Sequence, residues 1–151
     1  MQERYEQFSF IVSAINRHIQ KLERDEMIKF GHKGAFAQYL MAMRRYPEGV
    51  TSAQLSEMCD KDKAAVSRVV TEMIEKGLVV RKSAKDSLYR AKLTLSQEGE
   101  RIAEFVASRA VAAIEAMGNE LSDDQRKILY FTLDVIENKL GVLSREGIPQ
   151  E

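Results

Sequence analysis

DKAAVSRVVTEMIEKGLVV, residues 62–80, reads as one amphipathic helix that halts at a glycine and runs into a strand. Asp62 is a good N-cap, as is Asp60, because a short carboxylate accepts the free N–H groups of a first helical turn. The helix is predicted over Lys63 to Lys76, and Gly77 supplies the left-handed residue that ends it. Val66, Val69, Val70, Met73 and Ile74 gather on one side, where they are predicted to pack on Leu55 and Leu78. Ala64, Ala65, Ser67, Arg68, Thr71 and Glu72 fall on the other faces.

The flanks give this helix its context. Upstream, TSAQLSEM (51–58) opens with Thr51 and Gln54 in capping-box spacing, and CDKD (59–62) cuts the helix short. A short helix, a tight turn and a longer helix in succession make a helix-turn-helix. Downstream, LVVRKS (78–83) and YRAKLTL (89–95) have strand character, with AKDS (84–87) between them. Tyr89, Ala91, Leu93 and Leu95 alternate with Arg90, Lys92 and Thr94, so one face packs and the other is solvated. The pair forms a basic β-hairpin directly after the helix-turn-helix.

Further out, the chain is helical. Phe8, Ile11, Ile15, Ile19 and Leu22 form one stripe of a helix over about Glu3 to Lys29, which GHKG (31–34) breaks. A second helix, Ala35 to Tyr46, turns Phe36, Leu40 and Met43 inward and stops before Pro47 and Gly49. Ser96 caps a helix reaching about Met117. Ser122 and Gln125 begin the last one, striped by Ile128, Leu129, Leu133, Ile136 and Leu140. The two terminal stripes exceed what a small winged-helix core can cover, which implies dimerisation through both ends of the chain. The expected fold class is therefore mainly α with a small β-hairpin: a winged helix-turn-helix with N- and C-terminal dimerisation helices. Residues 1–151 form a single domain in this reading, with the winged helix at about 34–95 and dimerisation helices at about 1–30 and 96–148.

Composition agrees. Hydrophobic residues make up 44% of the chain, enough for a core, and the formal net charge is +0. The charge is unevenly spread: Asp60 to Leu95 holds nine Lys or Arg against five Asp or Glu, a net of +4 inside a body of net −4. A basic middle in an acidic body points to an anionic partner. Cys59 is the single cysteine, so no intrachain disulfide forms, as suits a reducing compartment. The first residues lack an apolar signal core and no stretch approaches ~18 uninterrupted apolar residues. The expectation is a cytoplasmic protein with no membrane partner. No GxSxG, HExxH, P-loop or paired-cysteine motif appears, which argues against an enzyme and against catalytic residues.

These features give the outward face of the 63–76 helix a chemical reading. Ala64 and Ala65 let the backbone come close to a groove beside Lys63. Arg68 can reach a guanine edge or a phosphate, and Ser67 and Thr71 can bond phosphates. Lys82, Lys85 and Arg90 of the hairpin can reach the adjacent minor groove or its phosphates. The alternative is a winged-helix protein-interaction module that does not bind DNA, its hairpin cations guarding an exposed strand edge.

DKAAVSRVVTEMIEKGLVVRKSAKDSLYRAKLTLSQEG, preceded by YPEGVTSAQLSEMCD, resembles the winged helix of MarR-type transcriptional regulators. The likeness lies in the short helix leading into LSEMCDKDKAAVSR, the EKGLV exit, and LTLSQEG before the next helix. It covers about half the chain directly. It implies a homodimer on pseudo-palindromic duplex DNA, the 63–76 helix in the major groove with Ser67 and Arg68 at contact positions, and the hairpin as wing. The family's wings often carry an Asp-Arg-Arg-like cluster; here Ser87, Leu88 and Tyr89 stand at that place. Many members act as repressors relieved by a small phenolic or anionic compound bound between the dimerisation helices and the winged helix. His32, Tyr39 and Arg44, with His18 and Met43, are the candidates by location. No cofactor is implied, and two histidines, one cysteine and no tight ligand spacing argue against a zinc site.

Overall fold

Two capping boxes set the helix starts that the sequence marks. Thr51 Oγ1 accepts from the Gln54 N–H at 3.2 Å while the Gln54 side chain accepts from the Thr51 N–H at 2.8 Å. Ser122 and Gln125 repeat the arrangement at 3.3 and 2.8 Å. The computed structural model describes residues 2–82, 91–118 and 120–149. Its elements run α1 (Gln2–Lys29), α2 (Phe36–Arg44), α3 (Ser52–Met58), α4 (Lys63–Glu75), β1 (Val79–Arg81), β2 (Leu93–Leu95), α5 (Gln97–Gly118) and α6 (Asp123–Glu146). The mainly α fold with one small hairpin is the winged helix-turn-helix expected from the sequence, with long helices at both ends.

The chain divides into two compact units, Met1–Val111 and Ala112–Glu151. The core lies in the first. Phe36, Leu40 and Met43 of α2, Leu55 of α3, and Val66, Val70 and Met73 of α4 meet Leu78, Leu93 and, from α5, Ile102 and Val106. Val69 and Ile74 pack against this core from a partly buried position. On α1 only Met27 is fully buried, so that helix joins the core by its C-terminal end. Gly34 permits the approach: a Cβ there would lie 3.2 Å from the Arg24 Cβ and 3.3 Å from its carbonyl oxygen.

β1 and β2 pair antiparallel, Val79 opposite Leu95 and Arg81 opposite Leu93. Val50 adds a bridge to Leu93, with N–H···O distances of 3.0 and 2.8 Å, and so fastens the start of α3 to the hairpin. The strands are shorter than the sequence suggests, and Tyr89 falls among residues 83–90, outside the described residues. α2 is also shorter than its predicted span: Arg45 and Tyr46 form the turn that leads to Pro47.

In the second unit α6 has no buried residue. Leu129, Leu133, Ile136, Leu140 and Leu143 recur at spacings of three and four on one stripe, and Ile128, Phe131, Val135 and Val142 on another. Phe131 is 70% exposed and Ile128 66%. The α1 stripe is similarly open in the protomer, with Ile15 52% exposed.

Candidate nucleic-acid interface

α4 is fixed at both ends. At its start Asp62 Oδ1 accepts from the Ala65 N–H at 2.8 Å, and that bond holds the Asp62 carboxyl below the usual carboxylate range. Asp60 takes no part in capping. It is instead the one described non-glycine residue with positive φ, at 49°, and its left-handed backbone makes the tight turn between α3 and α4. Ser56 clamps the same turn: its backbone carbonyl accepts from the Lys61 N–H at 3.0 Å, and its hydroxyl donates to the Lys61 carbonyl. At the C-terminal end Gly77, at φ 71°, donates to the Ile74 carbonyl at 2.9 Å, and Leu78 donates to the Met73 carbonyl at 2.9 Å. These are the two crossed bonds of a Schellman stop, and Leu78 is buried in the core that Met73 of the last turn also joins.

With Val66, Val70 and Met73 facing the core, the opposite face of α4 is open. Lys63, Ala64, Arg68 and Thr71 are exposed, and Ala65 and Ser67 are half-buried. The guanidinium of Arg68 makes no hydrogen bond or ion pair among the described residues, so it is available to a ligand. Glu72, one turn further on, is engaged by Lys33, whose ammonium lies 2.8 Å from Glu72 Oε1. That pair ties the loop after α1 to the helix.

Of the hairpin cations, Arg81 and Lys82 are exposed. Lys82 has a use that the sequence did not suggest: its ammonium donates to the Glu48 carbonyl at 3.0 Å, bracing the Pro47–Glu48 turn. Lys85 and Arg90 lie outside the described residues. The outward face of α4, the Asp60–Asp62 turn and the described base of the hairpin are continuous in sequence and share the basic segment.

The three effector candidates do not converge. Tyr39 is buried and lines a cleft of about 250 Å³ between α1 and the helix-turn-helix. Arg44 lines a different cleft of about 240 Å³ beside β2 and α5, where it pairs with Glu104. His32 lines neither; its ring sits 6.3 Å from Phe36, with Nδ1 buried and unpartnered. Met43 shares the Arg44 cleft. His18 is exposed on α1. Burial pushes the Cys59 thiol up to about 11, as fits a small core residue. Among the described residues no group of three His, Cys, Asp or Glu is placed to hold a metal, and no helix is long and apolar enough to cross a membrane.

Comparison with known proteins agrees with this architecture. Residues 30–87 match the profile of the MarR family. Among solved structures, a MarR transcriptional regulator from Methanosarcina mazei Go1 superposes with a TM-score of 0.74 at 21% identity, over 91% of this chain and 92% of that one. A MarR-family regulator from Listeria monocytogenes, complexed with 26mer DNA, gives 0.71 at 13% identity over 93% and 95%. A MarR-family transcriptional regulator from Rhodococcus sp. RHA1 gives 0.67 at 20% identity over 87% and 94%. No curated protein matches the sequence.

Proposed function

We propose that this protein is a homodimeric transcriptional regulator that binds pseudo-palindromic duplex DNA, a repressor relieved by a small-molecule ligand. The observation that carries the reading is the outward face of α4. Two small alanines and the unpaired Arg68 stand on a helix whose other face is locked into the core, with a short helix before it and a basic hairpin after it. A rigid helix with small residues near its N-terminus fits a major groove, and a fixed scaffold lets Arg68, Ser67 and Thr71 arrive in register with base edges and phosphates. The match of residues 30–87 to the MarR family, and the similar fold of a Listeria relative complexed with DNA, support the same reading. Lys63, Ala64, Ala65 and the hairpin's Lys82, Lys85 and Arg90 complete the proposed contact set.

The homodimer is supported by the open apolar stripes of α1 and α6, which are too extensive to stay wet in a soluble monomer. A two-fold dimer places two copies of α4 about one helical turn of DNA apart, roughly 10 base pairs. Selection of bound sequences from a random duplex pool tests the whole reading. Inverted repeats at that spacing, with affinity falling steeply as salt rises, are the expected result. Asymmetric single sites would remove the dimeric reader. No enrichment at any salt would leave a winged helix that binds another protein.

A further inference from the structure

The cleft that Tyr39 lines has walls from three parts of the fold: Glu23 and Arg24 of α1, Gln38 and Tyr39 of α2, and Lys61 and Val69 of the helix-turn-helix. Several of its polar side chains have no hydrogen-bond or ion-pair partner among the described residues. Glu23 is half-buried yet forms no hydrogen bond or ion pair among the described residues, and burial pushes its carboxyl up against the opposing pull of Arg45 and Arg24. The Tyr39 hydroxyl likewise has no hydrogen-bond partner there. Arg24 and Lys61 are exposed cations with no acidic partner within ion-pair distance among the described residues. Water satisfies the two exposed cations, but a half-buried carboxylate and a phenol without partners beside them mark this hollow as a candidate binding site.

The charges are of both signs, so a simple anion answers only half of the site. We propose that this cleft binds a small zwitterion of the α-amino-acid kind, its ammonium on Glu23 and its carboxylate between Arg24 and Lys61. Tyr39 and Gln38 add hydrogen bonds, and Val69 offers apolar wall to the side chain. The volume, about 250 Å³, lies just below the usual range for drug-sized ligands and suits a molecule of amino-acid size. Glu23 and Gln38 also line an adjoining cleft of about 380 Å³, which gives a longer side chain room to extend along α1. The site is partly organised in advance: Ser56 holds the backbone of Lys61 from both sides, and the Gln38 amide donates to the Cys59 carbonyl at 2.9 Å.

The place of the cleft gives binding a consequence. Val69 follows Arg68 on α4, and Lys61 lies one residue before the Asp62 cap. A ligand bridging α1 to these residues fixes the angle between the long N-terminal helix and α4, which must suit the DNA. If the two angles differ, each ligand weakens the other by the same factor. Only this regulatory step rests on the ligand-relief reading above; the binding site stands on its own residues.

Calorimetric titration of the full-length protein with L-valine, L-leucine and L-phenylalanine in turn tests the site. Phenethylamine and 3-phenylpropanoate serve as the singly charged controls. Saturable binding of at least one amino acid, with weaker or no binding of both controls, is the expected result. Glu23→Gln and Lys61→Ala should each weaken it by about tenfold or more, as loss of a charge-assisted bond would. Circular dichroism melts show that both variants fold. No binding of any of the three amino acids, equal binding of 3-phenylpropanoate, or undiminished binding by either variant overturns the proposal. Operator affinity measured with and without the bound amino acid then separates the two ideas. Binding that leaves operator affinity unchanged upholds the site and removes ligand relief through it. Release by another compound, unaffected in both variants, keeps ligand relief and removes this cleft from it.

Discussion

A Cβ added at Gly99 would stand 2.0 Å from the carbonyl oxygen of Leu78. The first turn of α5 is thereby pressed onto the exit of α4, and Ser96 closes the joint. Its hydroxyl donates to the Gly77 carbonyl at 2.6 Å and accepts from the Gly99 N–H at 3.0 Å, and its N–H donates to the Leu78 carbonyl at 3.0 Å. The long helix that follows is thus fastened to the stop of the helix that faces DNA in the proposed complex.

Gly99→Ala should therefore destabilise the protein, although alanine is the better helix former by about 1 kcal/mol. The obstacle is backbone, which cannot swing aside as a side chain can, so the clash outweighs propensity and a net loss of roughly 1–3 kcal/mol is expected. Urea unfolding measures it. A gain in stability would mean that α5 and the Gly77–Leu78 turn are not in this contact. Ser96→Ala, which removes two bonds of the same joint without a clash, should cost about 1–2 kcal/mol.

Asp62 gives a pH signature. The Ala65 N–H depresses its carboxyl in the folded state, so its contribution to stability is present above the unfolded carboxylate value and is lost as pH falls through the lower folded value. Asp62→Asn keeps a capping oxygen but not the charge. Wild type should melt higher than Asp62→Asn near neutral pH, and the gap should shrink as the solution is acidified through the carboxylate range. Thermal melts across pH check this; a gap that is constant with pH would remove the charge from the account of this cap.

Much of this architecture was legible because single residues announce it. Thr51, Asp62, Gly77 and Ser122 stand at their helix ends by local chemistry that needs no tertiary partner. Asp60 was misread for the same reason: aspartate suits both a cap and a left-handed turn, and only the length of the α3–α4 connection selects between them. The Gly99–Leu78 contact was not legible, since a glycine three residues into a helix looks like a weak helical residue until the opposing backbone is placed. Nor could spacing show that Lys82 braces Glu48, a partner 34 residues away. Tyr39 and Arg44 are effector candidates by their location in the chain. Five residues apart, they point about 140° from each other around the helix axis, which puts them in separate clefts.

Ile15 and Leu133 test the dimer. Ile15 is 52% exposed and Leu133 43%, so an aspartate at either should change the stability of the folded protomer by no more than about 0.5 kcal/mol. At a dimer interface the same change buries a charge without a partner, which costs several kcal/mol. Sedimentation of Ile15→Asp and Leu133→Asp should show monomer, or strongly weakened dimer, at concentrations where wild type is dimeric. Undisturbed dimers in both would place the interface elsewhere.

Arg68 carries the most direct test of the proposed DNA complex. It is exposed on α4, off the Val66–Val70–Met73 face, and its guanidinium makes no hydrogen bond or ion pair among the described residues, although its charge is felt by Asp62. Arg68→Ala leaves no cavity, so the melting temperature should barely move. A base contact predicts a loss of ~1–3 kcal/mol in specific affinity, with discrimination relaxed at one base position. A phosphate contact predicts instead a uniform loss for every duplex and a salt slope smaller by about one. Titration of specific and scrambled duplexes at several salt concentrations tells the two apart. Lys82→Ala provides the contrast, because the Lys82 ammonium is already bonded to the Glu48 carbonyl. Its removal should cost stability of about 0.5–1.5 kcal/mol through the turn it braces, whatever it does to DNA. Should Arg68→Ala bind both duplexes as wild type does, the open face of α4 is not a DNA reader, and a protein partner becomes the better reading of this winged helix.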